Sequence, residues 1–486
     1  MENQKASLKA LSSLSHIRNL STFIVGGTIR DLLRGQKTND LDILVFGDVW
    51  RTAAELAQAL EATWFVLDES SRTARVVLTG NRNLHLDLVG AGHQSLLENL
   101  QERDFTLNAM AVSLPDYLEY LEKPDYPLNG ALIDPLKGKQ DLEDRMLRVT
   151  SDQAFKHDPL RLLRAIRLAA TLDLQVEKGT LALITQQARL ITQSTSERIR
   201  DELFKILAVD KTYFWIKQLE RLGLLGVIFP ELEALKGVEQ NKYHALDVWG
   251  HSLATLKQLE QKLWQKWLPS DLEEHVESYL SESLGATRTR WQLLKLGALL
   301  HDMGKPEVKA TRHGGKIIFY GHEQAGARQA RRIAERLKLS NQEKRGLTTL
   351  VDQHMRPFHL FRAENHTGKA EYRFYLKTGS EAVAILLLAL ADRAAGRALD
   401  SDAEPLRFSH FIKRLLERYY YEFQTARNQR LIGGQDVLQA FGLKPGPLVG
   451  KILKQVEEAQ VLGRIHTREE ALQFVGQILR RSRIII

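Results

Sequence analysis

Residues 23–46 read FIVGGTIRDLLRGQKTNDLDILVF, and this stretch decides the fold. Phe23–Val25 is a short β-type run, Gly26–Gly27 marks a tight turn, and the residues from Thr28 onward follow a helical pattern carrying Arg30 and Asp31. A second strand follows in Asn39–Asp40–Leu41–Asp42–Ile43–Leu44–Val45, where the period of two puts Asp40 and Asp42 on one face and Leu41 and Ile43 on the other. Outward from this unit, Thr22–Val25, Leu41–Phe46, Arg75–Leu78 and Leu84–Val89 read as strands among helical stretches, so residues 20–150 form a small α/β domain. Everything after it reads helical.

Glycines at such a turn let backbone N–H groups approach a phosphate, and the helix that follows adds favourable partial charge. Arg30, about one turn in, adds a fork of donors. Two neighbouring carboxylates repel unless a cation lies between them. Two hard cations at Asp40 and Asp42 could activate an attacking hydroxyl, stabilise the leaving oxygen and neutralise a triphosphate. Taken alone, an Asp-x-Asp pair reads as a solvated strand end rather than a metal site. Combined with Gly-Gly-x-x-Arg-Asp at this spacing, the block resembles the first motif of the CCA-adding enzyme and bacterial poly(A) polymerase family.

Further stretches carry the same resemblance. Glu102–Arg103–Asp104–Phe105–Thr106–Leu107–Asn108–Ala109 is similar to that family's second motif, with Glu102 in place of its first arginine. The resemblance implies that Arg103, Asp104 and Asn108 bind the nucleotide, Asp104 near the ribose hydroxyls. His157–Asp158–Pro159–Leu160–Arg161–Leu162–Leu163–Arg164–Ala165–Ile166–Arg167 resembles the motif whose side chains act as template for the incoming base. Asp158 and Arg161, three apart, are expected on one helix face. An Asp accepts from an exocyclic amine while an Arg donates to the adjacent ring acceptor, which suits cytosine and adenine and excludes uracil and guanine. Arg164 and Arg167 continue at the same spacing toward the triphosphate or the RNA backbone. Ser194–Ile199 resembles the family's last motif; Ser194 and Glu197 fit a capping box, which assigns the segment to structure rather than chemistry. Asp87 is either a third carboxylate facing the metals or a surface residue of an edge strand.

The connection from Val89 to Arg103 is short. Family members that build complete CCA ends usually carry a longer flexible loop there, so the resemblance leans toward CC addition, with full CCA addition, A addition and poly(A) synthesis as alternatives.

The chain of 486 residues is long enough for three or four domains, and 43% hydrophobic and 26% charged residues are ordinary for a globular protein. With no cysteine, disulfides and thiolate metal sites are excluded, so any metal must sit on carboxylates and imidazoles. A formal charge of +8 and a pI near 9.3 suit a polyanionic partner. The first residues lack the apolar core of a signal peptide and no run of about 18 uncharged apolar residues occurs, which predicts a soluble, cytoplasmic protein. Apolar spacing from Asp158 to Phe229 is helical, with a break at Pro230. It stays helical from Gly237 to Arg397, where the acidic stretch Asp271–Glu282 is expected to interrupt it. Gly433–Gly434 and Pro445–Gly446 read as turns, and the chain ends in Arg480–Arg481–Ser482–Arg483 before three isoleucines.

Histidines concentrate in the third quarter: Trp249–Gly250–His251, Leu300–His301–Asp302–Met303–Gly304–Lys305, Gly321–His322–Glu323, Gln353–His354 and Ala391–Asp392 arrive in that order. This resembles an HD-type metal-dependent phosphohydrolase domain. The resemblance implies His251, His301, Asp302 and Asp392 as core metal ligands, His322 and His354 as a second site, and Lys305 as an anion contact.

The expectation is therefore an α+β chain. A polymerase-β-like nucleotidyltransferase α/β head spans 1–137 and a helical neck and body with the base template 138–237. An HD-like region spans 238–400 and a helical tail 401–486. Its nucleotide site comprises Gly26, Gly27, Arg30, Arg103, Asp104, Asn108, Asp158, Arg161, Arg164 and Arg167, with Mg²⁺ on Asp40 and Asp42 and a second divalent metal in the HD region. Its partners are the tRNA 3′ end, CTP and also ATP. Three other classes remain open: a phosphohydrolase with a regulatory nucleotide-binding head, a regulatory nucleotidyl-transfer sensor, and a non-catalytic RNA-binding protein.

Overall fold

The computed structural model describes all residues except 1, 70, 79–83, 124–127, 241–245, 286, 314, 364–367, 397–402 and 482–486. The expected boundary at residue 400 and the final Ser482–Arg483 lie outside the described residues. The chain divides into two compact units, Met1–Glu202 with Gln218–Ile228, and Leu203–Lys217 with Phe229–Ile486.

The first unit is built on a six-stranded sheet of β1 (Ser21–Val25), β2 (Asp40–Phe46), β3 (Thr63–Asp68), β4 (Thr73–Val77), β5 (His85–Gly90) and β6 (Ala111–Ser113), in the order β3-β4-β5-β2-β1-β6. Only β2 and β5 pair parallel. The four strands expected from sequence are present to within two residues at each end. β3 and β6 were not expected. β6 has three residues, too few for a period, and β3 is an edge strand whose Phe65, Val66 and Leu67 are all about half exposed, so it shows no alternation.

Register in β2 follows from burial. Leu41, Ile43 and Val45 are fully buried against the helices α1 (Glu2–Ile17), α3 (Val49–Ala59) and α5 (Leu114–Glu122), whereas Leu44 packs on the other face with Val25, Leu100 and Ala111. A slip by one residue would expose three aliphatic side chains, at about 1.5–3 kcal/mol each, and drive two carboxylates into the core. The sheet therefore presents Asp40 and Asp42 on one face.

The rest of the chain is mainly helical, with three small ladders that the sequence reading did not anticipate: Met146–Leu147 with Gln175–Val176, Ser283–Gly285 with Arg288–Thr289, and Ala310–Arg312 with Lys316–Ile318. Two- and three-residue strands leave no periodic signal. The acidic stretch does not interrupt the helices. Ser270–Ser281 is a helix that buries Leu272, Val276 and Leu280 at four-residue spacing and carries its acids on the opposite side. In the second unit the helices Val248–Glu260, Arg290–Leu300 and Asn341–Gln353 pack on the central helix Ala382–Ala395, in which residues 382–391 are buried on every side, and His322–Arg336 packs on Asn341–Gln353. Gly368–Ala395 is long and apolar enough to cross a membrane, but 78% of its apolar window is buried within the fold. Residues 432–479 close the unit with their own core of Val437, Ile452, Val456, Val475 and Leu479.

Candidate functional site

In the first unit, the turn between β1 and α2 (Gly27–Leu33) lies against β2. Gly26 has φ +68°, and a β-carbon there would lie 2.7 Å from Arg103 Nη1 and 3.0 Å from Asp42 Oδ2. Only glycine combines that conformation with that clearance. The Gly27 N–H donates to Asp42 Oδ2 at 3.2 Å. Thr28, which the sequence reading passed over, staples the helix to the strand: its Oγ1 accepts from the Asp42 N–H at 2.9 Å and donates to the Asp40 carbonyl at 3.3 Å.

The parallel register sets Asp40 beside His85 and Asp42 beside Asp87. His85 Nδ1 lies 2.9 Å from Asp40 Oδ1. Asp87 does share the face of the carboxylate pair, and both its oxygens accept from Arg75 on β4, at 2.7 Å each. Burial raises the Asp42 carboxyl above the usual range; Arg103 works against this and the Asp87 charge adds to it. The repulsion between Asp42 and Asp87 on neighbouring strands would be relieved by a divalent cation, for which carboxylate oxygens are suitable donors.

A second layer is already assembled. Arg30 Nη1 donates to Asn108 Oδ1 at 2.8 Å, and its Nε and Nη2 donate to Asp31. Asn108 Nδ2 donates to Asp104 Oδ1 at 2.9 Å, and Arg164 Nε stands 3.1 Å from Asp104 Oδ2. Burial works against the Asp104 charge, yet Arg164, Asn108 and Arg161 together hold its carboxyl below the usual range. Arg103 is the exception: the residue is half-buried, its Nη1 makes one long bond of 3.4 Å to the Asn108 carbonyl, and its buried Nε has no hydrogen-bond partner. A guanidinium with a buried, unfilled donor is a seat for an anion.

Two expectations need correction, those for the Asp158–Arg161 helix face and the Ser194 cap. Asp158 does not share a helix face with Arg161, because it is extended (φ −143°) between the helices Ala154–His157 and Arg161–Leu172. Its carboxylate is held by Arg198, while Arg161 Nη1 reaches the carbonyls of Arg103 and Ala154 at 3.4 Å. Arg164 and Arg167 each have a carboxylate partner: the first pairs with Asp104 and the second with Glu202 at 2.9 Å. The capping box at Ser194 is absent; the helix begins at Ser196, so Ser194 falls one residue too early and its buried Oγ makes no hydrogen bond.

In the second unit five helices converge on Asp302. His251 Nε2 lies 2.8 Å from Asp392 Oδ1 and 3.8 Å from Asp302 Oδ2, and His301 Nε2 lies 3.2 Å from Asp302 Oδ2. On the other side, His322 and His354 bring their Nε2 atoms to 3.4 and 3.6 Å from Asp302 Oδ1 and to 3.2 Å from each other. His301, His322 and His354 each set Nδ1 against the carbonyl three residues back, at 2.8–2.9 Å. That bond fixes the tautomer in which Nε2 offers a lone pair. His301 Nε2 is buried and unaligned with any hydrogen-bond partner. Two triads, His251–His301–Asp302 and Asp302–His322–His354, thus share one carboxylate, and the donor set fits two divalent ions.

The surrounding charges follow from this arrangement. Burial pushes the His301 imidazole down, but Asp302 and Asp392 leave it raised overall. The Asp302 carboxyl, despite burial, sits well below the usual range because His301 and Lys305 face it. Lys305 Nζ bonds Asp302 Oδ2 and Gln240 Oε1, both at 2.6 Å, so Lys305 is anchored and Gln240 joins the site unforeseen. Gly304 is required for packing, since a β-carbon there would meet the His322 carbonyl oxygen at 2.1 Å.

Comparison with known proteins gives matches along most of the chain. The chain matches the family of poly A polymerase head domains over residues 22–148, that of the RNA- and SrmB-binding site of polymerase A over 173–236, and that of tRNA nucleotidyltransferase domain 2 over 322–475. It is 33% identical over 459 residues to the A-adding tRNA nucleotidyltransferase of Deinococcus radiodurans, covering 93% of this chain and 94% of the relative. It is 31% identical over 461 residues to the CC-adding tRNA nucleotidyltransferase of Thermus thermophilus, covering 93% and 92%. Among solved structures, the Thermotoga maritima CCA-adding enzyme complexed with tRNA superposes with a TM-score of 0.61 at 21% identity, over 97% of this chain and 94% of that one. A CCA-adding enzyme with CTP gives 0.63, also at 21% identity, over the same shares.

Proposed function

Given that the chain belongs to the tRNA nucleotidyltransferase and poly(A) polymerase family, we propose that it extends the 3′ end of tRNA without a nucleic-acid template, with Asp40 and Asp42 at the reacting centre. The observation that carries this is the pair of carboxylates on one face of β2, with Asp42 against the Gly26–Gly27 turn and beside Arg103, whose buried Nε has no hydrogen-bond partner.

In this reading the RNA 3′-hydroxyl oxygen bonds to the α-phosphorus of the nucleotide, the bond to the bridging oxygen breaks, and pyrophosphate departs with its electrons. The family uses divalent metal, and we assign Mg²⁺ to Asp40 and Asp42, where it supplies Lewis acidity toward the hydroxyl and the triphosphate. The Gly26–Gly27 backbone allows close approach of phosphate, and Arg103 takes the negative charge. Asp104, braced by Asn108 and Arg164, is assigned to the ribose. Asp158 and Arg161 read the base.

We assign CC addition. The connection after β5 is short and built: α4 (Leu96–Gln101) is closed by a Ser95–Glu98 capping box, and Gln94 Nε2 donates to Glu102 at 2.6 Å. A braced connection favours one template geometry over two. The identity to an A-adding relative supports A addition as the second reading. Incubating the protein with Mg²⁺, tRNA lacking its last three nucleotides, and each nucleoside triphosphate separately decides between them. CTP is expected to give two additions, after which ATP gives none; addition of A to tRNA ending in CC selects the second reading, and no addition at all overturns the function.

For the second unit we propose a two-metal phosphohydrolase acting on RNA-terminal phosphates, supported by the unaligned Nε2 of His301. The protein is expected to retain divalent metal through gel filtration and His301→Ala to lose it, with phosphatase or cyclic phosphodiesterase activity lost in parallel and CTP addition kept. Absence of both bound metal and hydrolysis would assign the module to scaffolding. The ranges 1–137, 138–237, 238–400 and 401–486 are proposed as the corresponding functional parts.

A further inference from the structure

The Asp158 carboxylate is not free to choose its direction. Oδ1 accepts from the Leu160 N–H at 3.2 Å and from Arg198 Nη1 at 3.2 Å, and Oδ2 accepts from Arg198 Nη2 at 2.8 Å. Arg198 comes from the first turn of the helix Ser196–Ala208, forty residues downstream. A carboxylate offers about four acceptor positions. These three donors leave one, on Oδ2.

This single position has a chemical consequence. A terminal carboxylate torsion is ordinarily broad, so a lone Asp could turn to accommodate several partners. Clamped by a planar fork, it presents one fixed acceptor. An exocyclic amine satisfies it, whereas the carbonyl of uracil or guanine at the equivalent position would leave two acceptors facing each other. Unmet acceptors in a binding site are the strongest basis for rejecting a near-isostere.

We infer that Arg198 is a specificity-determining positioning residue: its bidentate grip on Asp158 fixes the one acceptor that restricts incorporation to nucleotides bearing an exocyclic amine. The inference rests on the assignment of Asp158 as a base-reading residue. The pair is open to solvent, with the Arg198 side chain 51% exposed and that of Asp158 26% exposed. Such pairs contribute little to stability, so removing Arg198 should leave the fold intact.

The test measures kcat and KM for CTP, ATP, UTP and GTP on tRNA lacking its 3′ end, in the wild type, Arg198→Ala, Arg198→Lys, Asp158→Ala and the Arg198→Ala/Asp158→Ala double variant. Arg198→Ala is expected to lower the preference for amine-bearing over carbonyl-bearing nucleotides by about tenfold or more, mainly through KM. Arg198→Lys, which keeps the charge but not the fork, should fall between, and the double variant should match Asp158→Ala. An Arg198→Ala protein with wild-type melting and wild-type discrimination overturns the inference while Asp158→Ala still loses selectivity. If Asp158→Ala also selects normally, the template assignment itself has failed.

Discussion

Arg103 Nη1 occupies space that a β-carbon on Gly26 would need, the two being 2.7 Å apart. A side chain at position 26 would have to displace that guanidinium, and both residues lie against Asp42.

Gly26→Ala is therefore expected to reduce nucleotide addition by about a hundredfold or more, since shifts of roughly 1 Å at a reacting centre cost that much. The positive φ adds strain of about 1 kcal/mol. Single-turnover incorporation alongside thermal melting checks this: activity should collapse while melting falls only slightly.

Asp42 carries a charge that burial and Asp87 disfavour. Its folded carboxyl lies above its unfolded value, so the penalty is absent at low pH and grows as pH rises through the folded pKa. Asp42→Asn should consequently abolish incorporation, to below about a thousandth, while leaving the metal-free protein as stable as the wild type or more so at neutral pH. Mg²⁺ should raise wild-type melting and leave the variant unmoved.

Arg167 pairs with Glu202, the two side chains being 18% and 8% exposed. Arg167→Ala removes one charged partner of a buried carboxylate and is expected to cost about 2–4 kcal/mol. Arg167→Met with Glu202→Leu should recover most of it, and denaturant unfolding measures both. A phosphate-binding role would instead raise KM for the nucleotide without touching stability.

Lys295 is buried in the second unit, donating to the Val209 carbonyl at 2.7 Å and to Thr212 at 2.9 Å, and burial pulls its ammonium down to about 8. Between about 8 and its unfolded value near 10.4 the unfolded chain binds the extra proton, so this group's contribution to stability rises with pH across that window. The difference in unfolding free energy between wild type and Lys295→Met should shift in favour of the wild type from pH 8 to 10.

The strand-turn-helix-strand unit was legible because glycine, helix and strand periods each act over a few residues, and Asp40 and Asp42 followed from the period of two. Asp87 could not be assigned from sequence, because its fate depends on Arg75, which only the antiparallel register of β4 and β5 brings alongside. The carboxylate partners of Arg164 and Arg167 were not legible, because three-residue spacing says which face a side chain occupies and nothing about the carboxylate opposite.

Sequence by itself determined the family, the α/β head with its carboxylate pair, and the order of the histidines, since local spacing and residue chemistry carry these. Tertiary structure alone decided which charges face each other: Arg198 and Asp158, Arg75 and Asp87, Glu202 and Arg167, and two His–Asp triads on one shared Asp302. Such pairings join residues far apart in the chain, and electrostatic energy depends on distance and burial, neither of which is written in spacing.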